Sequence, residues 1–124
     1  MKKTLFIIED EKLIRETFYD YFTYWDYNVL TAENGLEGLE KIQSYINDGK
    51  KIDLVLSDIH MPKMNGIEML KKLKSNQYEL PFIFITGYCD FKEKLLIEKN
   101  VRDVLFKPVE LKQLLSVVEE CLMH

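Results

Sequence analysis

Five short apolar runs, each followed by a stretch long enough for a helix, recur along the chain, and no other feature narrows its fold as much. The runs are Leu5-Phe6-Ile7-Ile8, Tyr27 to Thr31, Ile52 to Ser57, Phe82 to Thr86 and Val104-Leu105-Phe106. The first and fourth lack polar alternation, as expected of strands covered on both faces. Between the runs, apolar residues fall three and four apart, the period of a helix with one buried side. A helix from Glu11 to Trp25 is predicted to present Ile14, Phe18, Tyr21, Phe22 and Trp25 to the core. A second, Leu36 to Asn47, presents Leu39, Ile42 and Ile46, and a short third carries Ile67, Leu70 and Leu73. A fourth is predicted near Asp90 to Lys99, and the last carries Leu111, Leu114, Leu115, Val118 and Leu122. Strands alternating with helices of this length predict an α/β fold, a five-stranded parallel sheet with helices on both faces, because the crossovers are right-handed. At 124 residues the chain is expected to form a single domain spanning 1–124.

Composition sets aside several classes of function. Seventeen basic against 21 acidic residues leave a formal net charge of −4, and no basic stripe appears, which argues against nucleic acid as a direct partner. No apolar run approaches the roughly 20 residues of a membrane span. The opening Met1-Lys2-Lys3-Thr4-Leu5-Phe6-Ile7-Ile8 resembles a signal peptide only briefly, for it runs at once into Glu9-Asp10-Glu11. The two cysteines, Cys89 and Cys121, form no motif, so a reduced, cytoplasmic setting is expected.

In open parallel sheets ligands bind beyond the carboxyl ends of the strands. Glu9 and Asp10 follow the first run, Asp58 the third, Thr86-Gly87 close the fourth, and Lys107-Pro108 follow the fifth. A dinucleotide site would place glycines at the first strand-to-helix turn. Carboxylates there repel bare phosphate and attract a cation. Hard oxygen ligands suit Mg²⁺, which keeps waters or phosphate oxygens in its shell. No histidine or cysteine cluster points to zinc, His60 and His124 being far apart. Phosphoryl transfer needs in-line placement and cancellation of charge on the phosphoryl oxygens. Lys107 offers a point charge and Thr86 a hydroxyl donor, both suited to that group.

The order Glu9-Asp10, then Asp58-Ile59-His60-Met61-Pro62-Lys63-Met64-Asn65-Gly66, then Thr86-Gly87, then Lys107-Pro108 resembles the receiver domain of two-component response regulators, over essentially the whole chain. The resemblance implies a flavodoxin-like (βα)5 fold with strand order 2-1-3-4-5. It also implies a phosphorylatable switch, with Asp58 the phospho-acceptor and a phosphohistidine on a sensor histidine kinase or phosphotransfer protein the donor. Glu9, Asp10, Asp58 and the backbone carbonyl of His60 would hold Mg²⁺. Thr86 would hydrogen-bond the phosphoryl group, Lys107 would pair with it, and the Lys107-Pro108 bond would be cis. Closure of Thr86 and the loop Gly87-Tyr88-Cys89-Asp90 would alter a surface on the fourth helix, fifth strand and fifth helix. Lys92, Lys94, Arg102, Glu110 and Lys112 would line or border that surface, and a downstream protein effector would read it.

Three departures stand out. The aromatic expected three residues before the lysine is here Val104, which has no ring to swing between two pockets, although Phe106 points to the same face. Asn100 and Val101 replace the small residues usual before the fifth strand, and Glu9 stands where Asp is more frequent. His60 and Tyr88 occupy the variable positions expected to set the lifetime of an acyl phosphate. Singly, Asp58 reads as a turn or cap residue, Glu9-Asp10 as a solvated helix start and Lys107 as a surface lysine. Their joint placement on one edge reverses those readings. Two rivals remain: a phosphorylation-independent interaction module with a vestigial site, and an aspartyl-phosphate phosphatase or mutase. The latter wants a second acid where His60 stands and a cap for which the length leaves no room.

Overall fold

The computed structural model describes residues 2–87 and 92–123, the side chains of residues 92 and 93 excepted. Five strands form one sheet: β1 (Thr4–Ile8), β2 (Asn28–Ala32), β3 (Leu54–Asp58), β4 (Phe82–Thr86) and β5 (Val101–Phe106). They pair in the order β2-β1-β3-β4-β5, every pair parallel. The helices are α1 (Lys12–Tyr24), α2 (Gly35–Asn47), α3 (Gly66–Ser75), α4 (Lys92–Leu96) and α5 (Leu111–Met123). This is the flavodoxin-like (βα)5 arrangement and strand order expected from the sequence.

Alternation along the strands divides the core. Leu5, Ile7, Leu54, Leu56, Ile83, Ile85 and Leu105 point to one face, packed with Phe18 and Phe22 of α1 and Leu114, Leu115 and Val118 of α5. Phe6, Ile8, Val55, Phe82, Phe84 and Val104 point to the other, against α2, α3 and Leu95 of α4. β1, β3 and β4 are buried end to end, so their apolar runs carry no alternation.

The structure corrects the sequence reading in three places. Only Phe18 and Phe22 of the aromatic helix are fully buried; Tyr21 lies at the margin and Trp25, one residue past the helix end, is 49% exposed. Trp25 packs instead edge-on with Tyr24 and at a tilt to Tyr21. β5 begins at Val101 rather than Val104. Its first half is hidden from a search for apolar runs because it is an edge strand with Arg102 outward, at a register shift opposite Phe82 and Ile83. β3 runs from Leu54 through Asp58, starting two residues later than the run from Ile52, with the acid as its last residue. α4 is described only from Lys92 to Leu96, and the predicted start at Asp90 lies outside the described residues.

Asn100, in the turn before β5, is buried and donates through its side-chain amide to the Leu80 carbonyl (3.2 Å). Its own carbonyl accepts from the Phe82 N–H (2.8 Å), so this turn is tied to the entry of β4.

Candidate functional site

The carboxyl edge of the sheet gathers side chains from three strand ends. β1 ends at Ile8, and the Glu9 N–H donates to the Ala32 carbonyl (3.1 Å), carrying the chain one residue past the strand before it turns. The Glu9 carboxylate folds back over this turn, accepting from the Glu11 N–H (3.0 Å), and is almost completely buried. Asp10, next in sequence, is exposed. Asp58 ends the central strand β3, is 7% exposed, and accepts from the Ile59 N–H (2.7 Å) through Oδ1.

Gly66 explains how the following loop packs so closely on Asp58. Its N–H donates to the Ile59 carbonyl (2.8 Å), and a Cβ there would overlap the Asp58 carbonyl oxygen. It would also lie 3.0 Å from the Phe84 ring and the Ser57 hydroxyl. Asn65, just before it, caps α3 in a reciprocal pair with Glu68, which fixes where the loop ends.

Lys107 completes the cluster from β5, two strands away. Its Nζ lies 2.8 Å from Asp58 Oδ2 and 3.1 Å from Glu9 Oε1, bridging the two buried acids. Its backbone N–H donates to the Thr86 carbonyl (2.8 Å), and the following bond to Pro108 is cis, as the resemblance implied. Burial opposes the lysine's charge, but hydrogen bonds to Asp58 and Glu9 outweigh it, so Lys107 is held above the usual lysine range. Burial pushes the Glu9 carboxyl up to about 7, and the Asp58 charge adds to this against the pull of the Glu11 N–H and Lys107. One lysine does not offset three acids. The cluster has room for more positive charge.

The donor set fits a hard divalent cation. One carboxylate oxygen each from Glu9, Asp10 and Asp58 lie within 4.8 Å of one another. These oxygens are close enough together for one hard divalent cation to be held among them. His60 is exposed and lines a shallow hollow with Asp10, Met61, Pro62 and Asn65 beside that cluster. Thr86 is fully buried at the end of β4, and its register partner on β5 is Phe106. Val104 is wholly buried against the helices of its face, whereas Phe106 is 38% exposed. Tyr88, Cys89 and Asp90 lie outside the described residues, as does the Lys92 side chain.

With these side chains together, the whole-chain comparison decides the family. The family model described as the response regulator receiver domain matches residues 5–119. The chain belongs to that family. The receiver is 36% identical over 101 residues to the transcriptional regulatory protein ZraR of Klebsiella oxytoca, covering 81% of this chain and 22% of that protein. It spans about half or less of the length of the curated relatives it matches. Among solved structures it is similar to a CheY-like receiver domain protein from Methanospirillum hungatei JF-1, with TM-score 0.85, 27% identity, and 99% and 95% of the two chains covered. It is also similar to the response regulator TrrA of Thermotoga maritima, solved in complex with Mg²⁺ and BeF, with TM-score 0.80, 27% identity, and 96% and 98% covered. Receiver domains are phosphorylatable switches of two-component signalling, and this receiver's acidic cluster suits Mg²⁺. No helix among the described residues is long and apolar enough to cross a membrane.

The structure thus brings Glu9, Asp10, Asp58 and Lys107 into one cluster, with Thr86 and His60 at its border. Sequence reasoning missed two participants. Ile59 acts through its main chain, which no side-chain pattern reveals. Arg15 donates from Nη1 to the Glu9 carbonyl (2.8 Å) and, more weakly, to the Asp10 carbonyl (3.4 Å). It was findable: a long side chain in the first turns of a helix leans toward the amino end and so back over the acidic turn.

Proposed function

We propose that this receiver is a single switch unit across residues 1–124 and takes a phosphoryl group onto Asp58 from a phosphohistidine of a sensor histidine kinase or phosphotransfer protein. The observation that carries this reading is the Lys107 ammonium bridging Asp58 and Glu9 at 2.8 and 3.1 Å in a nearly buried acidic cluster. A structural ion pair would not need a third carboxylate, Asp10, held beside it and exposed to solvent.

In the reaction an Asp58 carboxylate oxygen attacks phosphorus, the bond from phosphorus to the donor imidazole nitrogen breaks, and an acyl phosphate forms on Asp58. Glu9, Asp10, Asp58 and the His60 carbonyl would hold Mg²⁺, which when bound cancels carboxylate and phosphoryl charge. The Ile59 N–H keeps Oδ1 of Asp58 oriented. Lys107, on a flexible stem, transfers its Nζ from Asp58 Oδ2 to a phosphoryl oxygen as the group arrives. Thr86 donates its hydroxyl to another. A water attacking the acyl phosphate reverses the switch, and His60, on the open hollow beside Asp10, is placed to govern its approach.

A donor must cover the rim where Lys107 lies. An apolar groove there, between Leu13 and Thr17 of α1 and Pro108 and Val109, gives it a seat. Closure of Thr86 then reaches the α4–β5–α5 surface through its register partner Phe106, since Val104 is locked in the core. A cytoplasmic protein effector reads that surface, without direct contact to nucleic acid.

Incubation with a small phosphodonor and Mg²⁺, followed by intact mass, tests the proposal. The wild type is expected to gain one phosphoryl group, stable in acid and labile in base, that is absent without Mg²⁺ and in Asp58→Asn. A folded wild type that gains no mass would refute it and leave an interaction module on the same fold.

A further inference from the structure

We infer that Arg15 is a positioning residue for the cation site, holding the turn that aims Glu9 and Asp10. This rests on the reading of the acidic cluster as a Mg²⁺ site. The turn between β1 and α1 is short of partners. Glu11 stands at the N-cap of α1 but makes no side-chain capping hydrogen bond, its backbone N–H being used by the Glu9 carboxylate. The carbonyls of Glu9 and Asp10 lie before the helix, outside its hydrogen-bond ladder. Arg15 meets both. Its guanidinium donates to the Glu9 carbonyl at 2.8 Å and reaches that of Asp10 at 3.4 Å, while its backbone N–H donates to the Glu11 carbonyl at 2.9 Å.

One half-buried side chain therefore ties down two successive peptide groups, and the backbone ladder of α1 holds the third. Those peptides set the directions in which the Glu9 and Asp10 side chains leave the backbone. For Asp10 this matters most, because its carboxylate is exposed and accepts no hydrogen bond among the described residues. A guanidinium also carries charge of the wrong sign for a cation neighbour, which by itself would weaken binding. That charge is partly exposed and screened by solvent. The fixed direction of the ligands is not. The two effects oppose each other, and orientation wins.

Calorimetric titration of the metal-free protein with MgCl₂, well below the unfolding temperature, separates them. Partners that orient metal ligands typically account for a factor of about ten or more in affinity. Arg15→Ala is expected to raise the Mg²⁺ Kd about tenfold. Arg15→Lys keeps the charge and can reach one carbonyl, so its Kd is expected to fall between those of wild type and Arg15→Ala. The amide resonances of Asp10 and Glu11 are expected to shift in metal-free Arg15→Ala, where a role confined to helix stability would leave the Kd unmoved. An Arg15→Ala Kd within twofold of wild type, or tighter, overturns the inference while leaving the Mg²⁺ site intact. Absence of Mg²⁺ binding by the wild type overturns both.

Discussion

Raising the pH of the metal-free protein is expected to weaken it, contrary to the usual behaviour of a buried carboxylate paired with lysine. Burial pushes the Glu9 carboxyl from 4.5 up to about 7 in the folded chain. The folded state thus binds a proton more tightly than the unfolded state, and stability must fall as pH rises between those values. The full effect is complete below the unfolded pKa and lost above the folded one. Integrating the linkage from about pH 5.5 to about pH 8 gives a loss of roughly 2 kcal/mol. Urea denaturation across that range, run in parallel on Glu9→Gln, isolates Glu9 and its direct partners Asp58 and Lys107, because the difference between the two proteins cancels the titrating groups that do not touch Glu9. Saturating Mg²⁺ is expected to reverse the trend, since a cation stabilises the ionised carboxylate. A wild type whose stability relative to Glu9→Gln is flat or rises with pH, without metal, would show that Lys107 and the Glu11 N–H outweigh burial, and the reasoning would be wrong.

Gly66→Ala is expected to lower stability by about 3 kcal/mol, the upper end of overpacking costs, because the new methyl overlaps the Asp58 carbonyl and crowds Phe84 and Ser57. Phosphoryl uptake should fall with it, as relief requires Asp58 or the start of α3 to move; wild-type stability by denaturant titration would contradict the packing account. Phe22→Ala, at a fully buried position, is expected to cost about 3–5 kcal/mol. Trp25→Ala, half exposed, should cost no more than about 1 kcal/mol. Thermal melts that reverse this order would overturn the division of α1 into core and surface.

The sequence was most legible where chemistry and burial coincide. β1, β3 and β4 stand in the interior of the sheet, so their residues had to be apolar on both faces, and the polar residues ending them stood out. Edge position hid the rest. Val101-Arg102-Asp103 is strand only because β4 pairs with it, and neither its composition nor its period says so. Trp25 has the right spacing for the core, but α1 ends at Tyr24 and the chain turns through Asp26 at φ 70°, carrying the ring off the buried stripe. Among the site residues, acids and lysine could be read from their positions after strands. The contacts made by the Ile59 main chain and the Arg15 guanidinium depend on the path of the turn, which spacing alone does not specify.

Lys107 and Asp58 are 49 residues apart in the chain, and β4 stands between their strands. During synthesis, the acidic cluster would be complete in covalent terms long before its built-in counterion emerged. A chain halted after the fourth strand would carry every carboxylate and none of the restraint that Lys107 imposes. In the folded chain the restraint on the carboxylates is therefore non-local, resting on the pairing of the fifth strand with the fourth.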